Sequence, residues 1–325
     1  MLRDEQGRHF PYLRLSVTDA CNFRCGYCLP DGYQKPKGCA AFLQAPEIEN
    51  LVRAFAALGC RKVRITGGEP TLRRDIVPLV QLIAATPGIQ TVALSTNGFR
   101  LKSLVRDLLS AGLSRLNISL DSLDAQRFAL ATGQDLLGRV VEGIDESIRL
   151  GFKSVKVNSV LMKGTYLAEL ELFLAWIRHR PVCVRWIELM PTGGNQDFFR
   201  SNFISSETLL QELQGRGWRP IPKEEDGGPA QEYQHPHYAG SLGLIAPYAR
   251  NFCAACNRLR VTSRGRLRLC LFGDHEQDMR PLLQDSSQLP ELMAALRLAV
   301  LGKAESHRLP TGHYGNNQSF SSMGG

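Results

Sequence analysis

Residues 12–28 read YLRLSVTDACNFRCGYC, a strand-like run followed directly by three cysteines. Apolar residues alternate with Arg14 and Ser16 in its first half, which predicts a β-strand. Cys21, Cys25 and Cys28 follow with the spacing C-x3-C-x2-C, on the loop that leaves the C-terminal end of that strand. Because α/β barrels carry their catalytic groups on such loops, we expect the chemistry of this protein here.

The alternation of strand and helix patterns continues along the chain. Five further strand-like runs lie at residues 62–66, 91–95, 115–119, 154–160 and 182–187, with amphipathic helical stretches between them. The first helix is predicted to begin near Pro46 and to pack Ile48, Leu51 and Phe55 on the sheet. Repeated βα units form a parallel sheet, and six units are fewer than the eight of a closed barrel. The predicted fold is α/β, a partial barrel of six βα units.

Three parts of the chain are predicted. Residues 1–190 form the partial barrel, and residues 191–240, rich in Gly, Pro, Gln and charge, form an irregular connection. Residues 241–325 form a smaller cysteine-rich module that closes the barrel and carries a second metal site. In that module we expect short strands, a hairpin around Arg264 and Gly265, and a helix near residues 289–301.

Composition narrows the function. The 325 residues are 43% hydrophobic and carry a formal net charge of +8, which favours anionic partners. No apolar run approaches the roughly 20 residues that cross a bilayer, and the first residues lack an apolar signal region. No block of five or six consecutive Lys and Arg residues and no amphipathic basic helix occurs either, so a small polyanion is favoured over nucleic acid or membrane. We expect a cytoplasmic protein.

The first cysteine triplet predicts a metal site with a vacant position. A cubane iron-sulfur cluster usually has four cysteine ligands, so three leave one iron open. An open iron can bind the amino and carboxylate groups of S-adenosylmethionine, whose carbon-sulfur bond is then split by electron transfer. The alternative is a zinc site, but no histidine lies near in sequence to supply a fourth ligand.

Cys253, Cys256 and Cys270 form a second triplet with the spacing C-x2-C-x13-C. The intervening residues alternate apolar and basic around Gly265, and the predicted hairpin returns Cys270 to the side of Cys256. One compact metal site follows. It is either a second three-cysteine cluster or, with His275, a Cys3His zinc site.

Cations occupy the middle of four predicted strands, at Arg14, Arg64, Lys156 and Arg185. Strands of a covered parallel sheet are usually apolar on both faces, and an unpaired buried cation costs several kcal/mol. A phosphate-bearing substrate inside the barrel resolves this conflict. The alternative for each cation is that it reaches a strand end or meets a buried carboxylate such as Glu188.

Several motifs together resemble the radical S-adenosylmethionine superfamily. The first triplet has an aromatic residue before its last cysteine, and GGEP, STNG and SLDS follow the next strands at residues 67–70, 95–98 and 119–122. Over almost its whole length the chain is similar to the GTP 3',8-cyclase family of molybdenum cofactor biosynthesis. The matching stretches are LRLSVTDACNFRCGYCLP, RITGGEPTLRRD, RWIELMPTG, NFCAACNRLRVTSRGRLRLCLF and the terminal Gly-Gly.

The resemblance implies a reaction and its cofactors. These are S-adenosylmethionine and two 4Fe-4S clusters, one on Cys21, Cys25 and Cys28 and one on the second triplet. A 5'-deoxyadenosyl radical abstracts the ribose 3' hydrogen of GTP, the carbon radical attacks guanine C8, and the purine binds the open iron of the second cluster. The product is (8S)-3',8-cyclo-7,8-dihydroguanosine 5'-triphosphate.

The resemblance also assigns residues to these roles. The positions that match S-adenosylmethionine contacts are Tyr27, Gly68, Ser119 and Met190. The positions that match GTP contacts are Arg14, Arg64, Ser95, Lys156, Arg185, Arg258, Leu259 and Arg260. Arg14, Arg258 and Arg260 are counted with the first triplet as catalytic. The terminal Gly324 and Gly325 are predicted to reach into the active site.

Partners follow from the same resemblance. We expect GTP, a flavodoxin-type or ferredoxin-type reductant and contact with the downstream cyclic pyranopterin monophosphate synthase, in a monomer or homodimer. A different radical enzyme, acting on a peptide with an auxiliary cluster, is the first alternative. A non-catalytic zinc protein that binds nucleic acid is the second.

Overall fold

The six predicted strands form a parallel sheet in the computed structural model, which describes residues 1–36, 38–223 and 227–321. The strands are β1 (Tyr12–Ser16), β2 (Lys62–Thr66), β3 (Thr91–Thr96), β4 (Arg115–Ser119), β5 (Ser154–Leu161) and β6 (Cys183–Glu188). The helices between them are α1 (Ala45–Ala57), α2 (Ile76–Ala85), α3 (Leu101–Ser110), α4 (Ala125–Thr132), α5 (Leu137–Arg149) and α6 (Tyr166–Ile177). The prediction of a parallel α/β sheet is confirmed.

The first helix shows how local chemistry sets these boundaries. A capping box joins Gln44 and Glu47 at the start of α1, where the Glu47 carboxylate accepts the Gln44 backbone N–H at 2.8 Å. Pro46 occupies the first turn, as expected, and Ile48, Leu51 and Phe55 are buried. The predicted apolar face therefore packs into the core.

Residues 191–240 are not irregular throughout their described part, and that prediction is corrected. They form α7 (Gln196–Asn202), α8 (Ser206–Gly215), β7 (Arg219–Pro220) and β8 (Gln231–Gln234). Helix α7 buries none of its residues, and α8 buries only Ser206, Leu209 and Leu213. Such exposed elements have the polar composition of loops, which is why composition misled the prediction.

The rest of the chain extends both edges of the same sheet. It forms β9 (Ser241–Ile245), β10 (Arg258–Val261), β11 (Arg266–Arg268), β12 (Glu276–Asp278) and α9 (Leu289–Leu301), so the hairpin and the last helix lie where predicted. The strand order is β12-β11-β10-β1-β2-β3-β4-β5-β6-β9-β8-β7. Strand β10 pairs in parallel with β1, and β9 pairs in parallel with β6. The strand that precedes the first triplet thus lies beside the strand that follows Cys256.

The two faces of the sheet differ in polarity. Leu13, Leu15, Val63 and Ile65 are fully buried in the hydrophobic core. The residues that alternate with them, such as Arg14 and Arg64, line a central cavity instead. None of the described helices has the length and apolar character needed to cross a membrane.

Candidate active site

Both cysteine triplets line one cavity of about 460 Å³. The pairing of β10 with β1 brings them together, and the β10–β11 turn is bonded to the loop before Cys21. In that contact the Ser263 hydroxyl donates to Asp19 Oδ1 at 2.5 Å, and Arg264 forms an ion pair with the same carboxylate. Two sites that are far apart in sequence therefore line the same cavity.

Most of the residues predicted to bind cofactor or substrate line this cavity. They are Tyr27, Gly68, Ser119, Met190, Arg14, Arg64, Ser95, Arg185, Arg258 and Arg260.

The first triplet presents three thiols that are poor ligands until a metal displaces their protons. Burial raises the pKa of Cys21 to about 11 and that of Cys28 to about 12, and it also raises the pKa of Cys25. The backbone N–H groups of Phe320 and Ser321 partly offset this at Cys28. The donor set fits a metal group held by three thiolates, since metal binding favours the deprotonated form.

A glycine-rich turn is held against the triplet loop by backbone hydrogen bonds. Gly68 N–H donates to the Thr18 carbonyl at 2.9 Å, and Glu69 N–H donates to the Ala20 carbonyl at 2.7 Å. A Cβ atom on Gly68 would lie 2.3 Å from the Ala20 carbonyl oxygen, so only glycine fits this close approach.

The Glu69 side chain stabilises the same turn through hydrogen bonds, a role that the sequence did not reveal. Its buried carboxylate accepts hydrogen bonds from Thr71 N–H, the Thr71 hydroxyl, the Thr96 hydroxyl and Asn97 N–H, at 2.5 to 2.9 Å. Burial raises the pKa of this carboxyl, and the four donors oppose that rise. The loops that follow β2 and β3 are thereby joined.

Hydrogen bonds also connect Tyr27 and Met190, two of the predicted cofactor contacts. The Tyr27 phenol donates to Asp121 Oδ2 at 2.9 Å, and burial raises the pKa of Asp121 to about 6. The Asn195 amide donates to the Tyr27 carbonyl at 2.8 Å and to the Met190 carbonyl at 3.1 Å. One network therefore fixes the backbone at both residues.

Three arginines share one layer of the cavity wall. Arg14 is the register partner of Arg64 on one side and of Arg260 on the other. Burial, followed by repulsion from Arg258, lowers the pKa of Arg260 to about 10. Arg64 Nε is buried and has no hydrogen-bond partner among the described residues. Such a layer favours a bound polyanion, which would satisfy buried donors and reduce the repulsion.

The Arg185 side chain is oriented by the Asn158 amide, and it has room because a glycine lies opposite it. Its Nε and Nη2 atoms donate to Asn158 Oδ1 at 3.0 and 2.6 Å. Gly243 is its register partner on β9, and a Cβ atom there would lie 2.7 Å from Arg185 Cγ. Neither Asn158 nor Gly243 was predicted from the sequence.

Tyr12 is a further cavity residue that sequence reasoning missed. Lys62 Nζ lies 4.8 Å and Arg64 Cζ 5.6 Å from the centre of its ring. Although burial opposes ionisation, the positive charges of Arg64, Arg14 and Lys62 lower the pKa of the phenol to about 8. Its position two residues before Arg14, on the same face of β1, was the available signal.

Two predicted substrate contacts lie outside the cavity wall. Lys156 lines a separate cleft and forms an ion pair with Glu232 of β8, so the prediction that its side chain faces the central cavity is corrected. The physical reason is its position near the beginning of β5, where a carboxylate from the added strand meets it. The Leu259 side chain is fully buried in the hydrophobic core, on the face of β10 that does not line the cavity.

The second triplet lies beside positive charge. Burial raises the pKa of Cys253, and the neighbouring Cys270 and Cys256 thiolates add to that rise. Although burial opposes it, the positive charges of Arg258 and Lys303 lower the pKa of Cys256. In the described part of the chain no three His, Cys, Asp or Glu side chains gather around a point as a single metal ion requires. A cubane places each thiolate on a different iron, so it needs a wider spacing.

Two family models match consecutive parts of the chain. The Radical SAM superfamily matches residues 15–177, and Molybdenum Cofactor Synthesis C matches residues 182–309. The GTP 3',8-cyclase of Aeromonas hydrophila is 50% identical, over 100% of this chain and 96% of its own. That of Synechococcus elongatus is 48% identical, over 100% and 99%. The chain belongs to the GTP 3',8-cyclase family.

The predicted family is thus confirmed, and radical SAM membership implies S-adenosylmethionine and an iron-sulfur cluster as cofactors. Among solved structures, Streptococcus suis SuiB bound to S-adenosylmethionine has a TM-score of 0.63 and 17% identity, covering 93% of this chain and 73% of its own. SuiB bound to precursor peptide SuiA has a TM-score of 0.58 and 17% identity, covering 93% and 72%. At 17% identity, this likeness supports only the α/β fold of the chain and says nothing of its substrate.

The predicted Gly324-Gly325 tail lies outside the described residues. The described chain ends at Ser321, whose backbone lies at Cys28 of the first triplet. The segment that leads to Ser321 is bonded to the loop after β6: the Gly193 N–H donates to the Asn317 carbonyl at 2.7 Å, and the Gly194 N–H donates to the Gln318 carbonyl at 3.2 Å.

Proposed function

We propose that this protein converts GTP to (8S)-3',8-cyclo-7,8-dihydroguanosine 5'-triphosphate, the first step of molybdenum cofactor biosynthesis. The observation that carries the proposal is a single cavity that is lined by both cysteine triplets and by a layer of arginines. Relatives at 48 to 50% identity over the whole chain are named for this activity.

The finer architecture is part of the proposal. The six parallel strands form a partial barrel around the cavity, and the C-terminal strands close it while carrying a second 4Fe-4S cluster. Alternate residues of β1, β2 and β10 line the cavity while their neighbours are buried in the core, which supports a curved sheet with an interior. The division at residues 190 and 240 stays a prediction, since β9 and β10 join the same sheet as β1 to β6.

The first triplet forms the cofactor side of the site. Cys21, Cys25 and Cys28 hold a cluster with one open iron, and Tyr27, Gly68, Ser119 and Met190 surround S-adenosylmethionine. When bound, these groups supply a 5'-deoxyadenosyl radical. The turn held by Glu69 leaves room for backbone to approach the ligand, and the Asn195 network keeps Tyr27 and Met190 in place.

The second triplet and the cations form the substrate side. Cys253, Cys256 and Cys270 hold the second cluster, whose open iron binds the guanine. Arg14, Arg64, Ser95, Arg185, Arg258 and Arg260 bind and orient the nucleotide, and Leu259 contributes only through its backbone. Lys156 joins this set only after Glu232 releases its ammonium group, because the two form an ion pair in the structure. A triphosphate would bring negative charge to groups that burial otherwise destabilises.

The alternatives have less support. A peptide substrate, as in the SuiB complex, would not require a layer of three arginines in the cavity wall. No three His, Cys, Asp or Glu side chains of the described residues gather as a single zinc ion requires, which favours clusters over zinc. A one-electron reductant, a downstream synthase contact and a cytoplasmic location stay proposals from the resemblance.

The test is anaerobic cluster reconstitution followed by incubation with GTP, S-adenosylmethionine and a strong reductant. We expect 5'-deoxyadenosine and a cyclised guanosine triphosphate, detected by mass spectrometry. Cys21→Ser should abolish both products. Cys39→Ser, which removes an exposed thiol outside both triplets, should leave them unchanged. Formation of 5'-deoxyadenosine without any cyclised nucleotide would contradict the proposed substrate.

A further inference from the structure

Arg8 lies at the junction of three chain segments, one of which carries the second triplet. Its Nη1 donates to the Cys253 carbonyl at 3.2 Å and to the Glu305 carbonyl at 2.6 Å, and its Nη2 donates to the Ala304 carbonyl at 2.7 Å. Its Nε donates to Asp4 Oδ2 at 2.6 Å. A single guanidinium thus ties the amino-terminal segment and the segment after α9 to the backbone of Cys253.

We propose that Arg8 and the segment 303–307, which we call the C-terminal strap, position the second cysteine triplet for cluster binding. The inference rests on the proposed second cluster. Arg8 acts through the Cys253 backbone, so it is a positioning residue.

The C-terminal strap makes two further contacts with the triplet. The His307 backbone N–H donates to Cys253 Sγ at 3.5 Å, within the range for a hydrogen bond to sulfur. The Lys303 ammonium donates to the Leu269 carbonyl, which belongs to the peptide bond that leads to Cys270. Lys303 also lies over the Phe10 ring, 5.5 Å from its centre. Two of the three cysteines are therefore held by the strap.

The ion pair between Arg8 and Asp4 is buried, which makes it hard to replace. The Arg8 side chain is 8% exposed and the Asp4 side chain fully buried. Without the guanidinium, the buried Asp4 carboxylate would keep only the Arg8 backbone N–H as a donor among the described residues, and the partly buried Cys253 carbonyl would lose its bond to Arg8. Removing a charged partner from a buried carboxylate is expensive. The loop that carries Cys253 runs from the end of β9 to the start of β10 without a helix or strand of its own, so it depends on contacts such as these for its position.

Positive charge at this place also suits the group that the triplet would hold. A cluster bound by three thiolates carries net negative charge, and hydrogen bonds and cations around the sulfur atoms stabilise it. Lys303 and Arg258 act electrostatically on Cys256, and the His307 N–H acts on Cys253. Positioning and charge compensation thus come from the same segment.

The experiment compares Arg8→Met with Arg3→Met after anaerobic reconstitution. Arg3 is an exposed arginine of the same amino-terminal segment, so it controls for loss of charge. Two clusters contain about eight irons per chain and one contains about four. We expect about eight irons in the wild type and in Arg3→Met, and about four in Arg8→Met. The Arg8→Met variant should keep 5'-deoxyadenosine formation and lose at least tenfold in cyclised product.

The first cluster serves as the folding control, because a merely structural defect would lower both clusters together. Lys303→Met is a second variant and should also lose iron selectively. An Arg8→Met protein with about eight irons, or one that loses both clusters in parallel while Lys303→Met keeps both, would overturn this inference. A wild type with only about four irons would instead overturn the proposed second cluster, so the two failures are distinguishable.

Discussion

Arg14 on β1 and Arg64 on β2 are register partners in the parallel sheet, so two like charges lie side by side in the buried wall of the cavity. A fold tolerates such a pair when an anionic ligand uses it. This relationship connects the architecture of the sheet to the class of substrate. The layer of arginines is therefore the first place to test the proposed binding of GTP.

Arg64→Gln should raise KM for GTP by about tenfold or more, because a hydrogen bond to a charged group contributes about 1.5–3 kcal/mol. Formation of 5'-deoxyadenosine should persist, since Arg64 lies away from the first triplet loop in the register of the sheet. Steady-state kinetics with varied GTP measures the change. Arg53→Gln, on the exposed side of α1, is the matched control and should leave KM unchanged. Equal KM values for the two variants would argue against phosphate binding at this layer.

Gly243→Ala should destabilise the fold by about 1–3 kcal/mol, because the added methyl group overpacks Arg185 Cγ. The displaced guanidinium should also raise KM for GTP. Gly138→Ala on α5 is the control: a Cβ atom there meets nothing within 4 Å, so a gain of up to about 1 kcal/mol is expected. Denaturant unfolding of both variants measures the free energies. A loss of stability in Gly138→Ala alone would show that the packing at Gly243 is misjudged.

GTP binding should weaken above pH 8, because the Tyr12 phenol has a pKa of about 8. Its ionised form adds negative charge beside the layer of arginines that is proposed to bind the phosphates. Below pH 8 the phenol is neutral and does not oppose a polyanion. With one pH unit between pKa and buffer, about 90% of the phenol is ionised at pH 9, so the affinity should fall by up to about tenfold between pH 7 and 9. Equilibrium binding of GTP at the two pH values measures this.

Tyr12→Phe should remove that alkaline loss of affinity, since phenylalanine cannot ionise. Tyr166→Phe, on α6, is the control and should retain it. An identical pH dependence in all three proteins would exclude Tyr12 as the titrating group.

Glu69→Gln should destabilise the protein by about 1–3 kcal/mol, because an amide nitrogen in the place of Oε2 cannot accept the hydrogen bond from Asn97 N–H. The turn with Gly67 and Gly68 should loosen, which lowers the affinity for S-adenosylmethionine. Unfolding measurements and equilibrium dialysis report the two effects. Glu49→Gln, at an exposed position of α1, should change stability by less than about 0.5 kcal/mol. A tolerant Glu69→Gln variant would show that the network is not needed to shape the turn.

The sequence by itself determined the local elements and the cysteine spacing from which the metal sites are predicted. Period-two alternation and first-turn signals such as Pro46 depend on neighbours in the chain, so β2 and β4 were predicted to the residue. Cysteine spacing and the mid-strand cations are likewise visible without coordinates. They were sufficient to predict the family and an anion inside the sheet.

Only the tertiary structure decided which of these residues meet. The parallel pairing of β10 with β1 joins segments about 245 residues apart and brings the two triplets to one cavity, and no local pattern encodes such a contact. At the other edge of the sheet, the pairing of β9 with β6 sets Gly243 against Arg185, and the pairing of β8 with β9 accompanies the contact of Glu232 with Lys156. Periodicity predicts the face of a strand, whereas the free energy of burying distant surfaces against each other selects its neighbour.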